Sequence, residues 1–251
     1  MKKLYGLVPA LLLFASGHCV TAQWTATNPS ALPARYVGKI VSFYRSGVIK
    51  FGSGTLVGPR HVLTAGHCLF DRDKRWAGRP ETEWKPVTIM FTPGLAGGAA
   101  PYGSANATVW SISAPMLSGE DKDRDVGVMR LNRALGNNTG GWAPMGEWPN
   151  GWTINVGAYG YPGSEEWPKQ NSFPAVNITN QLSSKYAWHL FWSVPNRRGL
   201  GGTSGGPVMD RGTVRGVVQG QRSTVSGPYI VGFRLSNIPL NEIRAWISTH
   251  P

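Results

Sequence analysis

Apolar residues in this chain come in short runs. Val37 to Phe43, Thr108 to Ser113, Val126 to Leu131 and Tyr229 to Leu235 hold seven residues at most, and Gly, Pro, Asn or Ser soon follows each. A run of that length fills a β-strand but not a packed helix. With 33 Gly and 19 Pro in 251 residues, and only 15% charged residues, long salt-bridged helices are excluded. The chain is predicted to be all-β, with many strands and tight turns.

Further strands are predicted at Val48 to Phe51, Thr55 to Val57, Arg60 to Thr64 and Val87 to Phe91. After residue 150 they resume at Trp152 to Tyr159, Ala175 to Leu182, His189 to Val194, Pro207 to Met209 and Val214 to Val218. The charged stretch 71–84 and the Gly- and Ala-rich stretch 92–107 read as loops. Residues 132–150, rich in Asn, Gly, Pro and Trp, contain an interdomain connection at 136–150. Only the end departs from this texture. Leu240, Ile243, Ala245, Trp246 and Ile247 take a helical spacing, which predicts one helix over 239–251.

The N-terminus has the form of an export signal over 1–22: basic Lys2 and Lys3, apolar Leu7 to Ala15, small Val20-Thr21-Ala22. The apolar run is short for a membrane anchor, and bulky His18 before Cys19 opposes lipid attachment. No later segment is long and apolar enough to be a transmembrane helix, so the expected location is secreted, extracellular or periplasmic. Residues 23–35 read as a mobile leader or short pro-segment, with Arg35 a possible processing site. Loss of the two lysines lowers the formal charge from +12 to +10. Such a protein can associate weakly with anionic surfaces. Zinc-finger spacing and the aromatic-basic strands of an RNA binder are missing, so no specific nucleic-acid partner is expected. With Cys19 removed, Cys68 has no cysteine to pair with, and stability must come from the core.

Three segments carry chemistry together: Thr64-Ala65-Gly66-His67-Cys68, Asp125-Val126-Gly127-Val128-Met129 and Gly201-Gly202-Thr203-Ser204-Gly205-Gly206-Pro207. A serine hydroxyl is a poor nucleophile at neutral pH. It needs a base within hydrogen-bond reach, and the base needs a partner that fixes its tautomer. His67, titrating near neutrality, suits the base; Asp125, opening an apolar strand, suits the partner; Ser204 supplies the hydroxyl. The glycines let backbone N–H groups converge on the oxygen of a tetrahedral intermediate, with Gly202 and Ser204 the expected donors. Activity should fall below about pH 6 to 7 as His67 protonates. A nucleophile elbow of the α/β-hydrolase kind is disfavoured. That fold orders its residues Ser, acid, His, and after Ser204 only Asp210 and the near-terminal His250 remain.

At these motifs the chain resembles the chymotrypsin-like (trypsin-like) serine peptidases. The match runs in order from about Lys39 to the C-terminal helix, and Gly52-Ser53-Gly54-Thr55-Leu56-Val57 is similar to the strand before the histidine motif. The resemblance implies two antiparallel six-stranded β-barrels, 36–135 and 151–238, with the active site in the cleft between them. It implies a serine endopeptidase acting on polypeptide as a monomer, without cofactor or metal. A substrate strand would add to the segment near Val217 to Gly220, with Val218, Gln219 and Gly220 as contacts. Arg198 and Gly199, with Arg197 and Leu200, would wall the specificity pocket, where an arginine can favour an acidic side chain. Thr203 stands where digestive members carry an aspartate, and Gly52 stands where the histidine-motif cysteine has its partner. These departures, with Tyr159-Gly160-Tyr161-Pro162-Gly163, resemble the bacterial glutamyl-endopeptidase branch. That branch has a histidine in the strand after the nucleophile. Gly216-Val217-Val218-Gln219-Gly220 has none, which leaves glutamate specificity unsupported. The competing reading is a catalytically silent binding protein on the same fold.

Overall fold

The computed structural model describes residues 25–149, 153–162, 171–172, 176–179, 187–190, 201–224 and 227–251. The export-signal segment 1–22 and residues Arg197 to Leu200 lie outside them. In chain order the strands are β1 (Thr25–Ala26), β2 (Val37–Phe43), β3 (Ile49–Leu56), β4 (His61–Thr64), β5 (Thr88–Pro93), β6 (Ala105–Ile112), β7 (Gly127–Leu131), β8 (Thr153–Gly160), β9 (Asn171–Ser172), β10 (Val176–Thr179), β11 (Ala187–Leu190), β12 (Pro207–Asp210), β13 (Thr213–Thr224) and β14 (Gly227–Arg234).

Strands β2 to β7 close into an antiparallel barrel in the order β2-β3-β4-β7-β6-β5. Alternation sets the inside: Ile40, Leu56, Val62, Ile89, Phe91, Met129 and Leu131 fill it. The second half is an eight-stranded sheet, β1-β9-β8-β12-β13-β14-β11 with β10 beside β8. Among the described residues its pairings form a path rather than a ring, so of the two six-stranded barrels expected only the first is seen closed. A second core cluster joins the halves, with Val37, Leu63, Ala65 and Val126 from the first and Tyr161, Val217, Phe233 and Leu240 from the second. Burying each such side chain is worth about 1.5–3 kcal/mol. The halves therefore share a hydrophobic seam.

Three local expectations change. Gly52 and Gly54 do not interrupt a strand; they lie inside β3. A Cβ at Gly52 would stand 2.7 Å from Cys68 Sγ, so glycine permits close approach there instead of a turn. Stretch 71–84 is not a plain loop but holds two short helices, α1 (Arg72–Trp76) and α2 (Glu81–Trp84). The Asp71 side chain caps α1 by accepting from Lys74 N. Within the leader, Thr25–Ala26 pairs with Asn171–Ser172 and Ala34 is buried, so sheet pairing and packing hold these residues.

Two more short helices, α3 (Ala114–Ser118) and α4 (Leu135–Asn138), sit between strands. The C-terminal helix α5 spans Asn237–Thr249 and buries Pro239, Leu240 and Ile243. It starts before the expected Pro239 because first-turn N–H groups have no intrahelical acceptor, so a proline there costs no bond. Its Glu242 Oε2 accepts from Arg124 Nη2 at 2.6 Å, tying the helix to the residue beside Asp125.

Candidate active site

Strands β4 and β7 pair antiparallel with Thr64 opposite Gly127. Residues just after Thr64 and just before Gly127 therefore meet over one end of the barrel. There the chain makes a single 3-10 turn, Gly66–Cys68, which lifts His67 out of the strand. Asp125 is 2% exposed and takes two bonds from the same residue: His67 Nδ1 lies 2.5 Å from Oδ2, and His67 N donates to Oδ1 at 2.9 Å. Ring and backbone are thus fixed together. Burial disfavours a charged ring, but the Asp125 carboxylate outweighs it and holds the His67 pKa above its ordinary value. Cys68 beside it adds to the rise.

Ser204 reaches the same region from the second half. Its turn is closed by Gly206 N to Thr203 O at 3.0 Å and Gly205 N to Val218 O at 2.7 Å. Gly202 and Gly205 both have positive φ, +93° and +85°, which an L side chain rarely adopts. A Cβ on Gly205 would also collide with Ser53 O and Thr64 Oγ1. The turn is pressed against the first barrel by Ser53, whose N–H donates to Ser204 O at 2.7 Å and whose hydroxyl donates to Gly202 O at 2.7 Å. Ser53 Oγ in turn accepts from Tyr161 N, and Ser53 O accepts from Thr64 Oγ1. Cys68 Sγ donates to Ser204 O at 3.4 Å.

His67, Asp125 and Ser204 are thus brought to one seam. The Ser204 hydroxyl donates to Gln219 O at 3.0 Å, not to the imidazole. Among the described residues, neither Gly202 N–H nor Ser204 N–H donates to a protein acceptor, so both are free for an incoming oxygen. Of the expected substrate contacts, Gln219 and Gly220 are partly exposed beside Ser204. Val218 is not: it is fully buried, its carbonyl bonds Gly205 N and its N–H bonds Gly206 O. Val218 therefore supports the serine turn from behind. Arg198 and Gly199 fall outside the described residues. Among the described residues no group of three or more His, Cys, Asp or Glu is arranged to hold a metal ion.

Ser53 was not singled out by sequence reasoning, yet it is the main polar stitch between the halves. Its signal was a polar residue between two glycines in a strand that becomes buried on both faces from Gly52 onward. The Gln219 side chain was also missed as a link. Its Nε2 donates to Asp123 O at 2.7 Å, joining β13 to the loop that carries Asp125.

A family model described as Trypsin matches residues 33–247. A glutamyl endopeptidase of Bacillus licheniformis is 30% identical over 209 residues, covering 80% of this chain and 55% of that protein. An extracellular metalloprotease of Bacillus subtilis is 27% identical over 227 residues, covering 88% of this chain and 66% of its own. The chain thus spans roughly half to two-thirds of the length of these curated relatives. Among solved structures, a Glu endopeptidase superposes with a TM-score of 0.70 at 18% identity, covering 90% of this chain and 97% of that one. A thermostable serine protease from an extremophilic microorganism gives 0.68 at 20% identity, covering 86% and 98%. At such identities these likenesses show the fold alone.

Proposed function

The chain belongs to the trypsin family, and from that premise we propose that it is an exported serine endopeptidase with Ser204 as nucleophile, His67 as general base and Asp125 as its orienting partner. The observation that carries this reading is the doubly bonded His67–Asp125 pair, whose neighbour Cys68 donates to Ser204 O in a glycine turn with two unengaged N–H groups. Substrate would lie along Gln219 and Gly220 as an added strand. Ser204 Oγ, turned about its Cα–Cβ bond away from Gln219 O, attacks the scissile carbonyl carbon while His67 Nε2 takes its proton. The new oxyanion is held by Gly202 N–H and Ser204 N–H, each such donor worth about 3 kcal/mol. The C–N bond breaks as His67 returns the proton to the departing amine, leaving an acyl ester on Ser204. Water then attacks the acyl carbon while giving a proton to His67, and as the ester C–O bond breaks His67 returns that proton to Ser204 Oγ, releasing the acid and restoring the starting state.

A fluorophosphonate probe tests the reading. It should label the wild-type protein and fail on Ser204→Ala; an unlabelled wild type would overturn it. Silent binding on the same fold draws on one observation, the engagement of the Ser204 hydroxyl with Gln219 O. That reading requires no labelling at all. Kinship with a glutamyl endopeptidase, together with Arg198 before the serine turn, favours an acidic residue ahead of the cut bond. Cleavage-site profiling on a proteome digest checks this, and an even spread over residue types would remove it.

A further inference from the structure

The outer face of the first barrel breaks the rule that a solvated sheet face is polar. Alternation points Ile49 and Phe51 of β3, Val41 and Phe43 of β2 and Met90 of β5 outward. Among the described residues seven large apolar side chains are exposed. Four cluster here: Val48 (42%), Ile49 (48%), Phe51 (49%) and Val87 (66%). They are neighbours: Ile49 pairs with Phe43, Val87 N donates to Phe43 O, and Tyr44 N donates to Val48 O across the hairpin. A groove of about 340 Å³ continues the face past Val87 to Trp110. Contiguous apolar surface of this kind marks a contact with something other than water.

Its rim is cationic. Lys39 Nζ lies 4.5 Å over the Phe51 ring, Lys50 Nζ 5.8 Å over Tyr44, and Lys85 Nζ 5.9 Å over Trp110. Lys50 and Lys85 also pair with Asp71 and Glu81. Arg45 at the hairpin tip is exposed and has no acidic partner among the described residues. Residues 35–90 hold ten Lys or Arg against four Asp or Glu, whereas 91–149 hold four against five. Of these ten cations, Lys39, Arg45, Lys50 and Lys85 border the apolar face.

We propose that the β2–β3 hairpin and the adjoining outer face of β3-β2-β5 dock on a bilayer rich in anionic lipid. A polyanion would use the cations but gain nothing from Val48 and Ile49. An apolar protein partner would use Ile49 and Phe51 but not the cationic rim. A surface with anionic headgroups above hydrocarbon uses both, with lysine stems lying along the rings and their charges at headgroup level.

Flotation of the protein recovered from an exporting host, with vesicles of phosphatidylglycerol and phosphatidylcholine or of phosphatidylcholine alone, tests this. The anionic vesicles should bind about tenfold more protein. Val48→Ser with Ile49→Ser should remove most of the binding to anionic vesicles, and Arg45→Gln should weaken that binding about fivefold. If the double variant melts early, Arg45→Gln, on an exposed position, tests the same face. Equal binding to both vesicle types overturns the proposal. So does binding of the folded double variant at wild-type strength, which would mean adsorption through charge alone. Wild-type binding of Arg45→Gln likewise overturns the role of the hairpin tip.

Discussion

On the first-barrel side of the site, His67 is held by a buried carboxylate through a ring bond and a backbone bond. On the second-sheet side, Ser204 O accepts from Ser53 N, and the turn around Ser204 is held by backbone bonds of Val218 to Gly205 and Gly206, with Gly202 and Gly205 at positive φ. One side depends on side-chain charge and the other on how closely main chain can approach main chain. Changes of charge should therefore be felt most at His67 and Asp125, and changes of volume most around Ser204.

The largest expected effects are the removal of the reacting groups. Ser204→Ala and His67→Ala should each lower kcat/KM for a peptide substrate by about 10⁵-fold or more, with unchanged circular dichroism. Near wild-type turnover in either variant would break the comparison at its root. Asp125→Asn should cost about 10⁴-fold, because the amide no longer favours the tautomer that the base needs.

Gly205→Ala probes the other side. A methyl group there meets Ser53 O and Thr64 Oγ1 and demands a left-handed backbone, so the turn must move. The expected outcome is a loss of about 100-fold or more in kcat/KM and a lower melting temperature. An active, equally stable variant would show that the turn is looser than its contacts imply. Ser53→Ala should cost about 1–3 kcal/mol in denaturant unfolding, since Gly202 O and Tyr161 N lose a buried partner. Stability equal to wild type would move the seam elsewhere.

The smallest effect is a shift in pH profile. A protonated His67 cannot accept the Ser204 proton, so activity is lost as pH falls through the ring's pKa. Because Asp125 holds that pKa above the ordinary value near 6.5, the acid limb should lie above it. The residual activity of Asp125→Asn should show that limb moved down, since the lowering by burial would then be opposed by Cys68 alone. An unmoved midpoint would argue that the carboxylate orients without stabilising charge.

Ser53 and Val218 show where reading the chain stops. The three side chains proposed to react stood out because each role needs a particular residue type in a particular local setting, and short motifs record that. Val218 was read as a substrate contact because its position in the chain matched such a strand. Only the register of β12 with β13 shows that both its backbone groups already serve the serine turn. The apolar outer face of the first barrel was equally hidden, because a run such as Ile49 to Phe51 looks the same whichever side its alternate residues face.

The sequence by itself determined that this chain is built from short strands and that it ends in one helix, and it supplied the three side chains proposed here as nucleophile, base and orienting partner. These follow from the spacing of apolar residues and from the chemistry of single residue types, both of which are local. Only the tertiary structure decided that Ser53 stitches the halves, that Val218 supports rather than binds, and which way the Ser204 hydroxyl points. Those depend on contacts between segments some 15 to 150 residues apart, and nothing local to either segment encodes the other's position.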